Sequence, residues 1–317
     1  MSLSANGIDG AEPGTPSVRI RQCLNADSSA PVSADTALPR PLLRYHGGKW
    51  KLAPWITRHF APHRVYVEPF CGGGSILLRK DRSHAEIVND LDAEIVNLFR
   101  VLRDPERSNQ LIKSVRLTPF AREEFNATYS RPARSPVERA RRLVARSFMG
   151  FGSASTYAAH RTGFRASSSR SGTTPAYDWM NYPDGLARIV ERLRGVIVEQ
   201  RDAVQVIASH DSPDTLIYCD PPYVMETRCF KRRVSGHVYK HDFNDDDHRR
   251  LATCLRAAKG MVMLSGYAHP LYDNELFPDW HRVALPHFAD GARPRVEVLW
   301  MNDAAKKALP QPSLFES

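Results

Sequence analysis

The chain has 317 residues, 42% hydrophobic, 9% aromatic and 25% charged, enough for a folded core in one large domain or two smaller ones. Its 44 basic against 35 acidic side chains leave a net charge of +9, which makes a polyanion the leading partner. Five cysteines without a CxxC pair argue against a disulfide framework or a zinc site and suit a reducing cytoplasm, and no run approaches the roughly 18 apolar residues of a membrane span.

Residues 1–39 are rich in Ala, Ser, Pro, Gly and Asp, lack the apolar core of a signal peptide, and read as a disordered tail. Tyr45-His46-Gly47-Gly48-Lys49 invites a phosphate-loop reading but fails it. Leu43 stands where the first glycine belongs, and Trp50 replaces the Ser or Thr that holds magnesium. A lysine presented by two glycines suits the carboxylate of an amino-acid moiety instead. Arg64 to Phe70 reads as a strand, and Glu68-Pro69-Phe70-Cys71-Gly72-Gly73-Gly74-Ser75 sits where that strand turns into a helix opened by Ser75–Arg79. Glycines at such a turn let the backbone pass close to a ligand. Ala85 to Asp90 is a second strand, and it ends on an acid 18 residues after Gly72. In nucleotide-type folds an acid at that place accepts hydrogen bonds from ribose hydroxyls. Asp92 to Arg103 has apolar residues at 95, 98, 99 and 102, a helical spacing.

This strand–helix alternation marks a doubly wound α/β sheet. It stops near Arg116 and resumes near Gly195 with strands at Val196–Val198, Thr215–Cys219, Gly260–Leu264 and Arg295–Trp300, and helices at Asp202–Ile207 and Asn244–Lys259. Residues 40–115 and 196–305 therefore read as one catalytic domain, 116–195 as an inserted, mainly helical region, and 306–317 as a flexible tail. The insertion concentrates the charge imbalance, with eleven arginines against three acids over 116–175. Val137 to Phe148 reads as helix, and 161–174 as a basic, hydroxyl-rich loop. Arg, Ser and Thr hold phosphates, so Arg146, Arg161, Arg165 and Arg170 are candidate DNA contacts.

The run Leu216-Ile217-Tyr218-Cys219-Asp220-Pro221-Pro222-Tyr223 drives a strand into a loop bearing a carboxylate, two prolines and an aromatic ring. The exocyclic amine of adenine is a poor nucleophile because its lone pair is delocalised into the ring. The Asp220 carboxylate and the Pro221 carbonyl can each take one amine N–H, which favours the charge developing on nitrogen. Pro221 and Pro222 fix φ and hold the acceptors in place. Tyr223 offers a face to a base taken out of the duplex. Arg228, shortly after, is a candidate phosphate contact beside that base.

Four elements, Tyr45–Lys49, Pro69–Gly74, Asn89-Asp90 and Asp220–Tyr223, stand in the order shown by the Dam-like (D12, α-group) DNA N6-adenine methyltransferases, many of them phage-encoded, and the chain resembles that family from about Leu42 to Asn302. The resemblance implies a Rossmann-like, S-adenosylmethionine-dependent sheet with an inserted target-recognition region. It implies that Tyr45, Lys49, Asp90 and Asp220 contact S-adenosylmethionine, with Gly47, Gly48, Glu68, Pro69, Phe70, Gly72 and Gly74 in the same site and no metal. It also implies double-stranded DNA as partner and a cytoplasmic enzyme. His46 departs from the family's usual Ala, and the insertion does not visibly follow the enteric pattern, so no recognition sequence is transferred. No nuclease-like segment is visible, which suits an orphan or phage-derived modifier. The alternatives are an N4-cytosine methyltransferase and a DNA-binding regulator on an inactive scaffold. Asp in first place of the catalytic tetrapeptide favours adenine, and intact Lys49, Gly72 and Asp220 favour an enzyme.

His237, His241 and His248 read as surface or core histidines rather than a metal cluster, and Trp179 as a residue seating the insertion on the sheet. Gln311-Pro312-Ser313-Leu314-Phe315 resembles the peptide by which bacterial replication proteins bind the sliding clamp. Either a monomer or a homodimer is compatible with a short duplex site.

Overall fold

The structure, a computed structural model, describes residues 38, 40–45, 47–130, 133–152, 156, 161–167, 172–227, 242–289 and 293–309. The tail to residue 37, His46, Arg170, Arg228, His237, His241 and the Gln311–Phe315 peptide lie outside the described residues.

In chain order the elements are α1 (Ala53–Thr57), β1 (Val65–Glu68), β2 (Ala85–Asn89), α2 (Ala93–Arg103), α3 (Pro105–Leu117), α4 (Arg122–Ala127), α5 (Pro136–Met149), α6 (Pro175–Met180), α7 (Tyr182–Leu193) and β3 (Ile197–Glu199). There follow α8 (Ala203–His210), β4 (Thr215–Cys219), α9 (Asp245–Arg256), β5 (Met261–Tyr267), β6 (His281–Ala289), β7 (Arg293–Met301) and α10 (Asp303–Ala308). The strands form one seven-stranded sheet among the described residues, in the order β3-β2-β1-β4-β5-β7-β6. All neighbours are parallel except β7, which runs antiparallel to both β5 and β6. This is the Rossmann-like α/β architecture expected from the alternation.

Parallel strands covered on both faces need continuous apolar runs, and every residue of β4 is buried. Successive side chains point to opposite faces. Leu216 and Tyr218 join one core with Tyr66, Val88 and helix residues such as Leu98, while Ile217 and Cys219 join a second with Val67, Val206 and Leu251. The first core extends through Leu111, Val115, Phe125, Leu143, Phe148 and Leu186. The helices between β2 and β3 are thus built into the crossover over one face of the sheet. Trp179 belongs to that core, donating its indole N–H to the Thr118 carbonyl at 2.7 Å and stacking on Tyr182.

Five elements differ from expectation. Helix α1 and helix α10 had no counterpart in the sequence reading, and α10 continues to Ala308, into the segment expected as a flexible tail, because Asn302 caps it and Ala305 packs into the core. Ser75–Arg79 forms turns rather than an α-helix. Arg79 bonds back only three residues, to Ile76, and the Leu77 N–H goes to the Glu68 carboxylate at 3.2 Å. Helix α3 went unread because its sequence PERSNQLIKSVRL buries only Ser108, Leu111 and Val115, too few apolar anchors for a clear period. Strand β6 went unread because Pro286 interrupts it; a proline is admissible there because β6 is the sheet's last strand. The Asn244 start of α9 is as expected, closed by a reciprocal capping box with Asp247. No helix among the described residues is long and apolar enough to cross a membrane.

Candidate active site

The strand order reverses between β1 and β4, since one connection from this pair runs to β2 and the other to β5. In open α/β sheets the loops at such a switch point separate and leave a crevice at the carboxyl ends of the strands. A cleft of about 850 Å³, its mouth open to solvent, lies there. Tyr45, Gly47, Gly48, Lys49, Glu68, Pro69, Phe70, Gly72, Asp90 and Asp220 line it, together with Pro222. Gly74, Pro221 and Tyr223 are not on its wall.

The glycines line the cleft at Gly72 and Gly73, and packing constrains the loop as well. Gly72 has φ +47, and a Cβ on it would meet the Tyr45 ring at 2.8 Å. Gly74 has φ +65, and its Cβ would meet Phe99 at 3.0 Å. Gly73 would leave an ordinary 3.4 Å to Tyr45. Gly72 and Gly74 are therefore held to glycine where Tyr45 and Phe99 pack onto the backbone, and Tyr45 in turn forms part of the cleft wall.

Asp90 closes this loop from β2. Its Oδ2 accepts the Gly72 N–H at 2.9 Å and its Oδ1 the Asp92 N–H at 2.8 Å. Burial pushes its carboxyl up to about 6, against these backbone donors. The Leu91 N–H is a third backbone donor to it, which leaves one of the carboxylate's four lone pairs for a ligand. Asn89 is spent on the frame instead, bonding the Pro69 carbonyl and both backbone groups of Arg201. Glu68 is buried and pushed up to about 8 by that burial, although the Tyr66 hydroxyl and the Leu77 N–H both donate to it.

Lys49 meets a carboxylate of the chain itself. Its ammonium donates to Asp220 Oδ2 at 2.7 Å and to the Gly47 carbonyl at 2.8 Å. Asp220 Oδ1 accepts from Ser265 Oγ at 3.0 Å, and Tyr218 OH lies 2.9 Å from the same Oγ. The stacking face expected of Tyr223 is mostly covered. The ring is 8% exposed, lies 4.8 Å beneath the Lys49 ammonium, and meets Tyr267 edge-on at 4.7 Å. Its hydroxyl draws it inward by donating to Glu297 Oε1 at 2.5 Å. Glu297 was missed in the sequence: it is one acid within an apolar strand, and nothing local signals its partners. Phe243 was missed too. It reaches the cleft from far along the chain and packs edge-on to Phe70 at 5.5 Å.

The basic region divides into framework and surface. Arg139 pairs with Glu94 at 2.7 Å, Arg141 and Arg142 with Glu138 at 2.7 and 2.6 Å, and Arg116 with Asp184 at 2.6 Å. Arg146, read as a DNA contact, is instead buried at 5% exposure, donating to the carbonyls of Thr128 and Thr156. Arg165, read the same way, is 9% exposed. Its backbone N–H is held by the Met149 carbonyl, which turns this stretch inward. Arg161 is exposed, bonded to Asn126 and placed over the Tyr129 ring, and Arg122, unremarked in the sequence, is exposed over Phe164. Phe151 stands beside them at 72% exposure, its N–H fixed to the Gly163 carbonyl at 2.8 Å.

Among the described residues no three His, Cys, Asp or Glu side chains gather as a metal-binding group. His248 is buried and bonded to Tyr272 OH at 2.9 Å. Asp90, at the end of β2, suits the paired hydroxyls of a ribose.

Comparison with known proteins agrees with this geometry. The profile of the D12 class N6 adenine-specific DNA methyltransferases matches residues 45–284. A type II methyltransferase of Lactococcus lactis subsp. cremoris is 27% identical over 76% of this chain and 86% of its own length. A DNA adenine methylase of Salmonella typhi is 26% identical over 78% of this chain and 86% of its own length. A type II methyltransferase of Methanocaldococcus jannaschii is 24% identical over 68% and 79%, respectively.

Proposed function

The chain belongs to the D12 class of N6 adenine-specific DNA methyltransferases, and from that premise we propose that its cleft holds S-adenosylmethionine for methyl transfer to an adenine turned out of a short duplex site. The meeting of Lys49, Asp90 and Asp220, from three separate chain segments, at one switch-point cleft carries this reading. Bound there, S-adenosylmethionine supplies an electrophilic methyl group on a sulfonium.

The protein's part is to orient the amine. Asp220 keeps lone pairs beyond those taken by Lys49 and Ser265, so it can accept one amine N–H while the Pro221 carbonyl accepts the other. That aims the nitrogen lone pair at the donor and stabilises the positive charge as it forms. Asp90 takes the ribose hydroxyls, and the Phe70–Phe243 pair walls the same space with apolar surface.

We assign residues 116–195 to target recognition, with Arg122 and Arg161 on phosphates and Phe151 as an apolar wedge in the stack. Arg170 and Arg228 join them as phosphate contacts. A clamp-binding role for Gln311–Phe315, a cytoplasmic location, and action as a monomer or a homodimer complete the reading.

The test is incubation of duplex DNA with labelled S-adenosylmethionine, followed by nucleoside mass spectrometry. N6-methyladenine is expected, and N4-methylcytosine alone would reject the base assignment. Asp220→Ala should abolish transfer while DNA binding survives; undiminished transfer by that variant would reject the role given to Asp220.

A further inference from the structure

Glu297 is a buried carboxylate in the middle of β7, 1% exposed, on a strand whose next four residues are all apolar and buried. Removing a carboxylate from water costs several kcal/mol unless partners repay it, and an apolar residue would serve the fold as well. Its partners belong to the reaction site. It accepts the Tyr223 hydroxyl at 2.5 Å and lies 3.9 Å from the Lys49 ammonium. That ammonium is already bonded to Asp220. Register explains the placement: Glu297 is opposite Tyr267 on β5, and Tyr267 abuts Tyr223.

We propose that Glu297 is a positioning residue for methyl transfer: it pins Tyr223 through its hydroxyl and shares the charge of Lys49, so that Asp220 keeps its strength as acceptor for the target amine. This rests on the methyl-transfer reading of the cleft. With Glu297 ionised, one ammonium faces two carboxylates, and neither is fully neutralised. With Glu297 neutral, Lys49 acts on Asp220 alone and competes for the lone pairs the amine needs. Burial pushes the Glu297 carboxyl up to about 7, against the pull of Lys49, so its charge changes in the neutral range. The titratable groups facing it are Lys49, Asp220, Tyr223, Tyr218 and Tyr267, and its neighbour on β6 is the uncharged Leu285.

Glu297→Gln keeps an acceptor for Tyr223 but removes the charge. It should lower kcat about tenfold at pH 8.5, with KM for DNA and for S-adenosylmethionine within about twofold. The deficit should shrink toward none at pH 6, where the wild-type carboxyl is itself protonated. Tyr223→Phe should lower kcat at every pH. The double variant Glu297→Ala/Tyr223→Phe should be no worse than Glu297→Ala, because both changes break one link. An unchanged kcat in Glu297→Gln, or a deficit independent of pH, overturns the charge-sharing part; multiplying effects in the double variant overturn the anchoring part. If Glu297→Ala does not fold, the near-isosteric Glu297→Gln and Tyr223→Phe carry the test. Calorimetric titration of wild type with S-adenosylmethionine separates the two readings. No binding there refutes the cleft assignment itself, whereas normal binding by wild type together with an unchanged kcat in Glu297→Gln refutes this inference alone.

Discussion

Replacing Gly72 by Ala distinguishes two reasons for the glycine loop. Gly72 sits at φ +47, where an L side chain costs about 1–2 kcal/mol. Its Cβ would also lie 2.8 Å from Tyr45 Cε1, so the ring must move. Some displacement is affordable at a cleft wall, so a total near 2 kcal/mol is the expected loss, or about 4 °C in Tm for a chain of this size. Moving Tyr45 also moves a wall of the cleft, and S-adenosylmethionine affinity should fall at least about tenfold, as an ångström-scale displacement of a positioning group commonly does. Gly73→Ala is the internal control: its backbone is unstrained, and the new methyl meets Tyr45 at 3.4 Å. It should keep Tm within about 1 °C and affinity within about threefold. Thermal melts and calorimetric titration read both quantities. Equal, severe loss of affinity in the two variants, with Tm unchanged in both, would refute the packing argument in favour of direct ligand approach.

The split among the arginines predicts opposite phenotypes. Arg146→Ala should destabilise by about 2 kcal/mol, since it orphans two buried carbonyls. Arg161→Ala should leave Tm unchanged but lower the slope of log affinity for DNA against log salt by about 1; the reverse pattern would exchange their roles. Phe151→Ala should weaken fluorescence enhancement of 2-aminopurine at the target position while sparing S-adenosylmethionine binding, and an unaltered enhancement would remove Phe151 as a wedge. Stability of the ligand-free protein should fall between pH 6.5 and 8.5. Glu68 and Glu297 are raised to about 8 and about 7, so the native state binds more protons than the unfolded chain, and this advantage is lost as pH rises through those values. Glu68 alone supplies on the order of 2 kcal/mol over that interval. A melting temperature that rises with pH, or a Glu68→Gln variant with the same pH slope as wild type, would contradict it.

The sequence by itself determined the architecture and most of the residues that line the cleft. Strand–helix alternation specified a wound sheet because periodicity and apolar content are local properties. Asp220-Pro221-Pro222-Tyr223 and the glycine turn were legible for the same reason: their residue types restrict backbone and charge where they stand. What only the tertiary structure decided are relations between distant segments. The sequence offered Lys49 to a ligand's carboxylate; folding gave it Asp220, 171 residues away. It counted Arg146 with the basic surface; its place on the covered face of α5 put it inside, because a helix face is chosen by what covers it. Glu297 had no reading at all, since a lone acid in a strand acquires meaning only from the pairing that sets it opposite Tyr267 and beside Tyr223. Charge and turn chemistry are written residue by residue, but who neutralises whom depends on strand order and register, and these exist only once the chain is folded.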